Sequence, residues 1–301
     1  MKNCKLFIKK QNNLKYNYCK KYSIKLNLKN NINKMIEQPL TNKPLKKGKT
    51  LLLFDIDGTL TKARSVIEDD MIDFLKDVIE KNPNITLASV GGAEYVQVKY
   101  QIGKVASIFK LLCTENGVST YDSNLNLVHS KKITDYLTEE QIQEMINFGL
   151  IYIANLKIPI KRGSFIQFRD STINFSPIGR DCSPEERTKF MEYDKEHHIL
   201  KKFKEEFDKL FEKKFNVHSV IGGQISFDLF PNGWDKRYCL QFFKDYDNII
   251  FFGDKTNVGG NDYSIAVCDG ITRGIHVDDP EDTKIQVNRI IKEIKELEEK
   301  N

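Results

Sequence analysis

Apolar runs near the start of the globular part of the chain alternate with a segment of helical periodicity. The run from Lys49 to Asp55 predicts a strand buried on both faces. Residues 68–81 then repeat apolar side chains at helical spacing, and Ile85–Val90 predicts a second strand. A helix is expected from Glu94, and residues 107–113 predict a third strand. Strand, helix and strand in this order predict a βαβ unit with a parallel sheet.

The pattern changes in the middle of the chain. Residues 138–157 predict a helix, and the alternation over residues 164–176 predicts a β-hairpin. A charged amphipathic helix is expected over residues 184–214, and it is followed by strands near 216–221 and 223–230. Hairpins mixed with helices are typical of an α+β unit, so we interpret this stretch as a domain inserted into the parallel fold.

The last part of the chain returns to the first pattern. We expect a helix from about Trp234, a strand at Asn248–Phe252 and a charged C-terminal helix over Thr283–Lys300. The predicted fold is therefore α/β, with a Rossmann-like parallel-sheet core and an inserted α+β cap domain. We expect a tail over residues 1–48, the first part of the core domain over 49–130, the cap domain over 131–233 and the second part of the core domain over 234–301.

Charge divides the chain into a basic tail and an acidic body. The formal net charge is +5, but residues 1–50 contain 14 Lys, no Arg and one acid, Glu37, whereas residues 51–301 carry a net charge of −8. A mainly basic, nucleic-acid-binding domain is therefore excluded. The Lys/Asn-rich tail is expected to be disordered. It is a solvated extension without a role, an extension preceding a working start at Met35, or an organellar targeting segment.

Composition excludes several other classes of protein. No stretch reaches the roughly 20 apolar residues that a membrane helix needs, and the N-terminus lacks a secretory apolar region. The six cysteines are far apart and form no CxxC pair, which argues against a disulfide scaffold and a zinc knuckle. Their number and spacing fit a reducing compartment, and we expect a cytoplasmic protein.

The chemistry-bearing motif Phe54–Leu60 follows the first predicted strand. Ligands of open parallel sheets bind at the carboxyl ends of strands, where Asp55 and Asp57 are placed. Two carboxylates this close need a cation, and Mg²⁺ suits hard oxygen ligands and phosphate. One carboxylate could then attack phosphorus while the other transfers protons. A calcium loop fits poorly, because Gly58 follows Asp57 at once and no third ligand intervenes.

Three further motifs are predicted to meet this one. Asp254 follows the strand near residue 250, so it can share a metal ion with Asp55 if the two strands are neighbours. Asp262 suits either a metal ligand or a residue that hydrogen-bonds to a ligand. Lys236 could neutralise the nucleophile and phosphate, although a lone Lys is more often a surface residue. The backbone N–H groups of Gly91-Gly92, at a helix start, can hold phosphate oxygens.

The predicted cap carries arginines next to small polar residues. Arginine clusters bind phosphate through paired hydrogen bonds. An arginine such as Arg187, taken alone, is more often a solvated helix residue. The candidate substrate-binding residues of the cap are Arg169, Arg180, Arg187, Ser226 and Asp228.

In the motif around Asp55 and Asp57, in Lys236 and in the motifs at Asp254 and Asp262, the chain resembles the haloacid dehalogenase-like phosphotransferases. From about Leu51 to Thr283 it is more specifically similar to the eukaryotic phosphomannomutase family. The tail lies outside the resemblance. The matching segments are Phe54–Thr61, Gly91-Gly92, Glu115–Gly117, Lys161–Gly163, Ser176–Arg180, Glu185–Arg187, Gly222–Asp228, Gly233–Cys239, Phe252–Thr256, Gly259–Asp262 and Pro280–Thr283.

The resemblance implies a reaction and roles for individual residues. Family members interconvert mannose 6-phosphate and mannose 1-phosphate, using Mg²⁺ and a hexose 1,6-bisphosphate activator, and feed GDP-mannose synthesis. By resemblance, Asp55 is the nucleophile, Asp57 the general acid/base and Lys236 the lysine near the phosphate. The implied Mg²⁺ ligands are Asp55, Asp254 and, through its backbone carbonyl, Asp57. Arg64 joins the substrate-binding set, and a homodimer through the caps is implied.

Two departures from the family pattern concern a loop and a hydroxyl group. The family has a peripheral cation site after Asn261-Asp262, where this chain is one residue longer; Asp269 and Thr272 are the implied ligands. Ala93 stands where the family often has a hydroxyl residue. If that hydroxyl matters, Ser89 or backbone N–H groups must replace it.

Three functions follow from these motifs. The first is a mutase, because two phosphates must be held at once and the cap arginines supply a second anion site. The second is a phosphatase of the same superfamily acting on sugar phosphates or nucleotides. The third is a non-catalytic sugar-phosphate sensor, against which the intact Asp55, Asp57, Asp254 and Lys236 argue. The preference for mannose or glucose phosphates stays open.

Overall fold

The computed structural model describes residues 38–221 and 224–299. Numbered along the chain, its strands are β1 (Thr50–Phe54), β2 (Ile85–Val90), β3 (Phe109–Thr114), β4 (Ser119–Asp122), β5 (Leu127–His129), β6 (Ile166–Phe168), β7 (Ile173–Phe175), β8 (Val217–Val220), β9 (Phe227–Pro231), β10 (Asn248–Gly253) and β11 (Arg273–His276). Its α-helices are α1 (Asp69–Lys81), α2 (Tyr95–Ile102), α3 (Glu139–Asn155), α4 (Pro184–His197), α5 (Ile199–Phe215), α6 (Tyr263–Ala266) and α7 (Pro280–Glu299). Short 3₁₀ helices lie at Gly103–Ile108, Glu115–Gly117, Ile133–Asp135 and Lys236–Phe242.

The larger sheet has the strand order β11-β10-β1-β2-β3-β4-β5. The first five strands in this order, β11, β10, β1, β2 and β3, are parallel to one another. β4 pairs antiparallel with β3, and β5 pairs antiparallel with β4. Leu52 of the central strand β1 is level with Leu87 of β2 and Ile250 of β10. Every residue of β1 is buried, because the strand has neighbours on both sides and helices over both faces. The predicted Rossmann-like parallel core is confirmed.

Helices cover both faces of this sheet. α1, α2 and α7 pack on one face, around apolar side chains that include Phe54 and Phe252. The 3₁₀ helix at Lys236–Phe242 and α6 cover the other face. The sequence accounts for α1 directly, because its buried residues repeat at helical spacing. Asp69 and Asp70 in its first turn and Lys81 in its last also complement the helix dipole.

The predicted cap contains a second, antiparallel sheet in the order β6-β7-β9-β8. Helices α3 and α5 cover one face of it and enclose a group of phenylalanines. Each fully buried phenylalanine contributes about 1.5–3 kcal/mol through removal of its surface from water. The group consists of Phe175, Phe203, Phe207, Phe211 and Phe227.

The amphipathic helix expected over residues 184–214 is two helices. His198 has a left-handed backbone (φ 53°), which ends α4 and lets α5 start in a new direction. The backbone N–H of His198 donates to the carbonyl of Asp194, and the Asp194 carboxylate accepts from the Leu200 N–H at 2.8 Å. The change of direction lets α5 bury its apolar face in the cap. α4, by contrast, has Phe190 as its one buried residue.

Elsewhere the differences from the predicted elements are smaller. The helix expected from Trp234 is a 3₁₀ helix at Lys236–Phe242, and strands β4, β5 and β11 were not predicted. Strands as short as these carry little apolar periodicity, so the sequence pattern does not reveal them. No helix within the described residues is long and apolar enough to span a membrane.

Part of the segment assigned to the tail packs on the larger sheet. Thr41 N–H donates to the Ala266 carbonyl at 2.9 Å, and Gly274 N–H donates to the Thr41 carbonyl at 2.8 Å. Residues 38–48 therefore follow the edge strand β11 instead of belonging to the tail. The predictions for residues 1–37, including disorder, a start at Met35 and targeting, lie outside the described residues.

Candidate active site

Three acidic side chains meet at the carboxyl end of the larger sheet. Asp55 follows β1 and Asp254 follows β10, and these two strands are neighbours in register. Asp262 lies at the start of α6, which packs against β10. One carboxylate oxygen from each residue lies within 4.8 Å of the others. The predicted meeting of the two strand ends is therefore observed, and Asp262 belongs to the same group.

Lys236 lies among these carboxylates and is fully buried. Its ammonium group donates to Asp262 Oδ1 at 2.5 Å and also to Asp55 Oδ1. Asp262 Oδ2 accepts from the backbone N–H of Lys255 at 2.9 Å. A buried ammonium ion is stable only where it is paired in this way. The structure places Lys236 against Asp55, the predicted nucleophile, and its full burial excludes the surface-lysine alternative.

Burial and neighbouring charges shift the pKa values of this group in opposite directions. Burial raises the pKa of Asp55 to about 7, an effect that Lys236 opposes and Asp262 reinforces. Burial alone would lower the pKa of Lys236, but Asp262 and Asp55 hold it above its ordinary value. Burial also raises the pKa of Asp254, although Lys255 opposes this. The carboxylates therefore need more positive charge than Lys236 supplies.

The group fits a hard divalent cation. Asp254 Oδ1 is buried and has no hydrogen-bond partner among the described residues, which is costly for a carboxylate oxygen. Such an oxygen, together with the nearby oxygens of Asp55 and Asp262, is the kind of ligand set that Mg²⁺ prefers. Asp55 and Asp254 are the predicted ligands that the structure brings together.

The Asp57 side chain is held by a neighbour that the sequence analysis missed. Asp57 Oδ1 accepts from the side-chain amide of Gln101 and from the backbone N–H of Arg64, both at 2.7 Å. Gln101 is 1% exposed and also donates to Thr61 Oγ1 at 3.2 Å. A polar residue at a buried position of α2, between Val98 and Ile102, is the sequence signal that could have identified it.

In the loop after β2, the prediction that the backbone N–H groups of Gly91 and Gly92 hold phosphate oxygens is wrong for Gly91. Gly91 N–H donates to the Cys113 carbonyl at 2.9 Å, so it is not free to hold a phosphate oxygen. Among the described residues, the N–H of Gly92 makes no such bond and stays a candidate. Glu115 and Asn116 donate to the carbonyls of Ala93 and Gly91, which ties this loop to the 3₁₀ helix that follows β3.

Ser89 does not replace the hydroxyl group missing at Ala93. It is level with Phe54 in the sheet and therefore points to the same face as that ring. Phe54 packs among the apolar residues beneath α1 and α2. The Ser89 hydroxyl is fully buried there and has no hydrogen-bond partner among the described residues.

The predicted arginines converge where the cap faces the core. Burial, followed by the positive charges of Arg169, Arg64 and Arg187, lowers the pKa of Arg180. Arg180 donates to Asn174 Oδ1 at 2.8 Å, and Asn174 in turn donates to Ser226 and Asp228. Like charges gathered in this way favour binding of an anion. Of the predicted substrate-binding set, Arg169, Arg180, Ser226 and Asp228 are thus linked by hydrogen bonds or ion pairs, and Arg64 and Arg187 lie near enough to lower the pKa of Arg180.

Arg169 is already engaged by acidic side chains. Its guanidinium lies 2.9 Å from Glu94 Oε1 in the core and 3.6 Å from Asp228 Oδ1 in the cap. It also donates to Gln167 Oε1 at 3.0 Å, and only 10% of its side chain is exposed. Glu94 is a second residue that the sequence analysis missed, because its partner lies 75 positions away in the chain.

Asp269 and Thr272, the ligands implied for a peripheral cation, have partners from other elements of the fold. The Asp269 carboxylate is exposed and lies 3.6 Å from the ammonium group of Lys43, which also donates to the Asp269 carbonyl at 2.6 Å. The Thr272 hydroxyl accepts from the Ile249 N–H at 3.0 Å. The structure shows Lys43 beside Asp269 and Ile249 beside Thr272, and the assignment of these two residues to a second cation stays a prediction.

Comparisons with known proteins agree with this geometry. A phosphomannomutase of Dendrobium officinale is 46% identical over 237 residues, covering 78% of this chain and 92% of that protein. Phosphomannomutase 1 of Dictyostelium discoideum is 47% identical over 242 residues, covering 78% of this chain and 94% of that protein. The solved N-terminally truncated, IMP-bound IMP-nucleotidase of Plasmodium falciparum shares the fold, with a TM-score of 0.58 and 16% identity, over 82% of this chain and 69% of that chain. The family model of eukaryotic phosphomannomutase matches residues 71–293, and the chain belongs to that family.

Proposed function

We propose that this chain interconverts mannose 6-phosphate and mannose 1-phosphate through an aspartyl-phosphate and a bound hexose 1,6-bisphosphate. One observation carries the proposal: the chain has two places for a phosphate group. One is the acidic group with Lys236 at the strand ends, and the other is the arginine cluster around Arg180 in the cap. A sugar with a phosphate at each end fits two such places, whereas an enzyme that only hydrolyses a phosphate ester needs a single phosphate site.

The first half of the reaction forms the aspartyl-phosphate. An Asp55 oxygen attacks the phosphorus, the bond between phosphorus and the sugar oxygen breaks, and Asp57 gives a proton to that oxygen. Gln101 and Arg64 hold the Asp57 carboxylate for this exchange. Lys236 stabilises negative charge on Asp55 and on the transferred group. Mg²⁺ held by Asp55, Asp254 and, as the resemblance implies, the backbone carbonyl of Asp57, with Asp262 nearby, would neutralise phosphate oxygens during transfer.

The second half transfers the phosphoryl group from Asp55 to a sugar monophosphate. The free hydroxyl oxygen of mannose 1-phosphate attacks phosphorus, the bond to Asp55 breaks, Asp57 takes the hydroxyl proton, and the product is the 1,6-bisphosphate. The first half then repeats at the other phosphate of this bisphosphate and releases mannose 6-phosphate. Bisphosphate must therefore turn round without escaping, which requires the cap to open and close over the core. Excluding water protects the aspartyl-phosphate from hydrolysis. Hexose 1,6-bisphosphate is proposed as the activator because it phosphorylates Asp55 at the start of the cycle.

We also propose a cytoplasmic homodimer that supplies mannose 1-phosphate for GDP-mannose synthesis. Three apolar side chains exposed on the cap support a dimer through the cap, because such exposure is typical of interaction surfaces. Their exposed fractions are 46% at Leu150, 47% at Ile151 and 48% at Phe168. Sedimentation of Leu150→Glu beside the unchanged protein would test the dimer.

A coupled assay tests the reaction. Mannose 1-phosphate and hexose 1,6-bisphosphate are supplied with Mg²⁺, and both mannose 6-phosphate and free phosphate are measured. Mannose 6-phosphate without comparable free phosphate is expected, whereas dominant release of phosphate would establish a phosphatase instead. Repeating the assay with glucose phosphates, with and without activator, measures the preference between the two sugars.

A further inference from the structure

A row of polar side chains crosses the sheet of the cap. Gln167 of β6 is level with Asn174 of β7, and Asn174 is level with Asp228 of β9. Residues that are level in adjacent strands point to the same face of a sheet, so these side chains form one row. Arg169 donates to Gln167 and lies near Asp228, and Arg180 donates to Asn174. The guanidinium groups therefore rest on this row.

Asn174 is the centre of the row and is 2% exposed. Its Oδ1 accepts from Arg180 at 2.8 Å. Its amide nitrogen donates to Asp228 Oδ1 at 2.8 Å and to Ser226 Oγ at 3.0 Å. One neutral side chain thus links a positive group, a negative group and a hydroxyl group.

The neighbours determine which way the amide faces. A guanidinium can only donate and a carboxylate can only accept, so the oxygen of Asn174 must face Arg180 and its nitrogen must face Asp228. Both amide hydrogens are then used, one on Asp228 and one on Ser226. Because Ser226 Oγ accepts this bond, its own hydrogen is free to be donated to an anion.

We propose that Asn174 is a positioning residue of the cap anion site, which sets the direction of the Ser226 hydroxyl and holds Arg180 beside Asp228. The proposal rests on the proposed function for the identity of the anion, a hexose phosphate. No other neutral group with both a donor and an acceptor would satisfy the three partners from this position. The residue acts through Arg180 and Ser226 and does not itself need to touch substrate.

The variant that separates this role from packing is Asn174→Asp. It keeps the size of the side chain but replaces the donor nitrogen with an acceptor beside Asp228. The expected result is a KM for mannose 1-phosphate raised by about tenfold to hundredfold, the usual effect of losing hydrogen bonds to charged groups, with kcat changed much less. Asn248→Asp is the matched control. Asn248 is a buried amide that donates to Lys46 and Thr50 in the core, and its change should leave KM near the normal value.

The split between KM and kcat gives a readout that a packing defect would not share. In Asn174→Asp the new carboxylate still accepts from Arg180 but cannot donate to Asp228 or Ser226. KM should therefore rise with kcat nearly unchanged, whereas a general loss of packing reduces the amount of active protein and hence kcat.

Binding of inorganic phosphate, measured by calorimetry with no turnover, separates this proposal from the proposed function. Weaker phosphate binding in Asn174→Asp than in Asn248→Asp supports a positioning role even if the protein fails to turn over mannose phosphates. Equal KM values and equal phosphate affinities for Asn174→Asp and the unchanged protein would overturn the proposal. If Asn174→Asp does not fold, Asn174→Ser, which leaves room for water, is measured by the same criteria.

Discussion

Glu94 of the core and Arg169 of the cap form an ion pair in which Oε1 and Nε are 2.9 Å apart. Gln167 strengthens the contact, because its amide nitrogen donates to the same Glu94 oxygen at 3.3 Å. Arg169 is also a member of the arginine cluster that is proposed to bind the second phosphate. A phosphate bound as proposed would therefore compete with the Glu94 carboxylate for the same guanidinium.

Glu94→Gln should loosen the closed form. The substitution removes the charge that attracts Arg169 and leaves the size of the side chain unchanged. We expect the ratio of free phosphate to mannose 6-phosphate to rise by up to about fivefold, the range of a partly exposed ion pair, because water reaches the aspartyl-phosphate more often. The control is Glu68→Gln, which removes an exposed carboxylate paired with Lys62 within the core. An unchanged product ratio would show that this ion pair does not hold the cap.

Asp55→Asn should abolish turnover and leave the fold intact. An amide oxygen cannot form the aspartyl-phosphate, yet it can still accept a hydrogen bond from Lys236. Activity and the thermal midpoint are measured together, with Asp73→Asn on the exposed side of α1 as the control. Turnover retained by Asp55→Asn would rule out the nucleophile assignment.

Lys236→Met should strongly destabilise the fold as well as abolish activity. It leaves the buried carboxylates of Asp55 and Asp262 without their shared cation. Breaking a buried pair by removing one partner costs about 3–5 kcal/mol, which denaturant unfolding would measure. Lys255→Met, which removes a half-exposed ammonium group near Asp254, should cost far less. A loss below about 1 kcal/mol for Lys236→Met, the scale of surface pairs, would contradict this account of the site.

Turnover should require a divalent cation held by Asp254. Chelation is expected to abolish activity, and Mg²⁺ to restore it. In Asp254→Asn the Mg²⁺ concentration for half-maximal activity should rise at least about tenfold, because a ligand charge is lost. Asp269→Asn should leave this concentration unchanged, since Asp269 lies beside Lys43 and away from the acidic group. A Mg²⁺ requirement that depends on Asp269 instead of Asp254 would reverse the assignment.

Gly149→Ala should destabilise the cap. A methyl group at this position of α3 would overlap the ring of Phe175, which is fully buried in the phenylalanine group. Overpacking of a filled core costs about 1–3 kcal/mol, whereas Gln143→Ala on the exposed side of the same helix should change stability by less than about 0.5 kcal/mol. Denaturant unfolding of both variants compares them directly. Equal midpoints would mean that the helix shifts to make room.

Much of the fold and the catalytic group could be predicted from the sequence, because the signals are local. An apolar run followed at once by an acid predicts both a buried strand and the place of the acid at its end. This holds for Asp55 and for Asp254, and it explains why their meeting was expected. The Lys236 prediction depended more on the resemblance, since a lone lysine carries no such local pattern.

The sequence by itself determined the parallel core, the inserted unit and the charged residues available for phosphate chemistry, since periodicity and strand-end acids are properties of neighbouring positions. Only the tertiary structure decided which groups are free and which are engaged. It showed that the Gly91 N–H is bonded to Cys113, that Gln101 holds Asp57, that Asn174 links Arg180 to Asp228, and that Lys43 neutralises Asp269. Each of these partners comes from a different element of the fold, and hydrogen bonds form only where packing brings their donors and acceptors within about 3 Å.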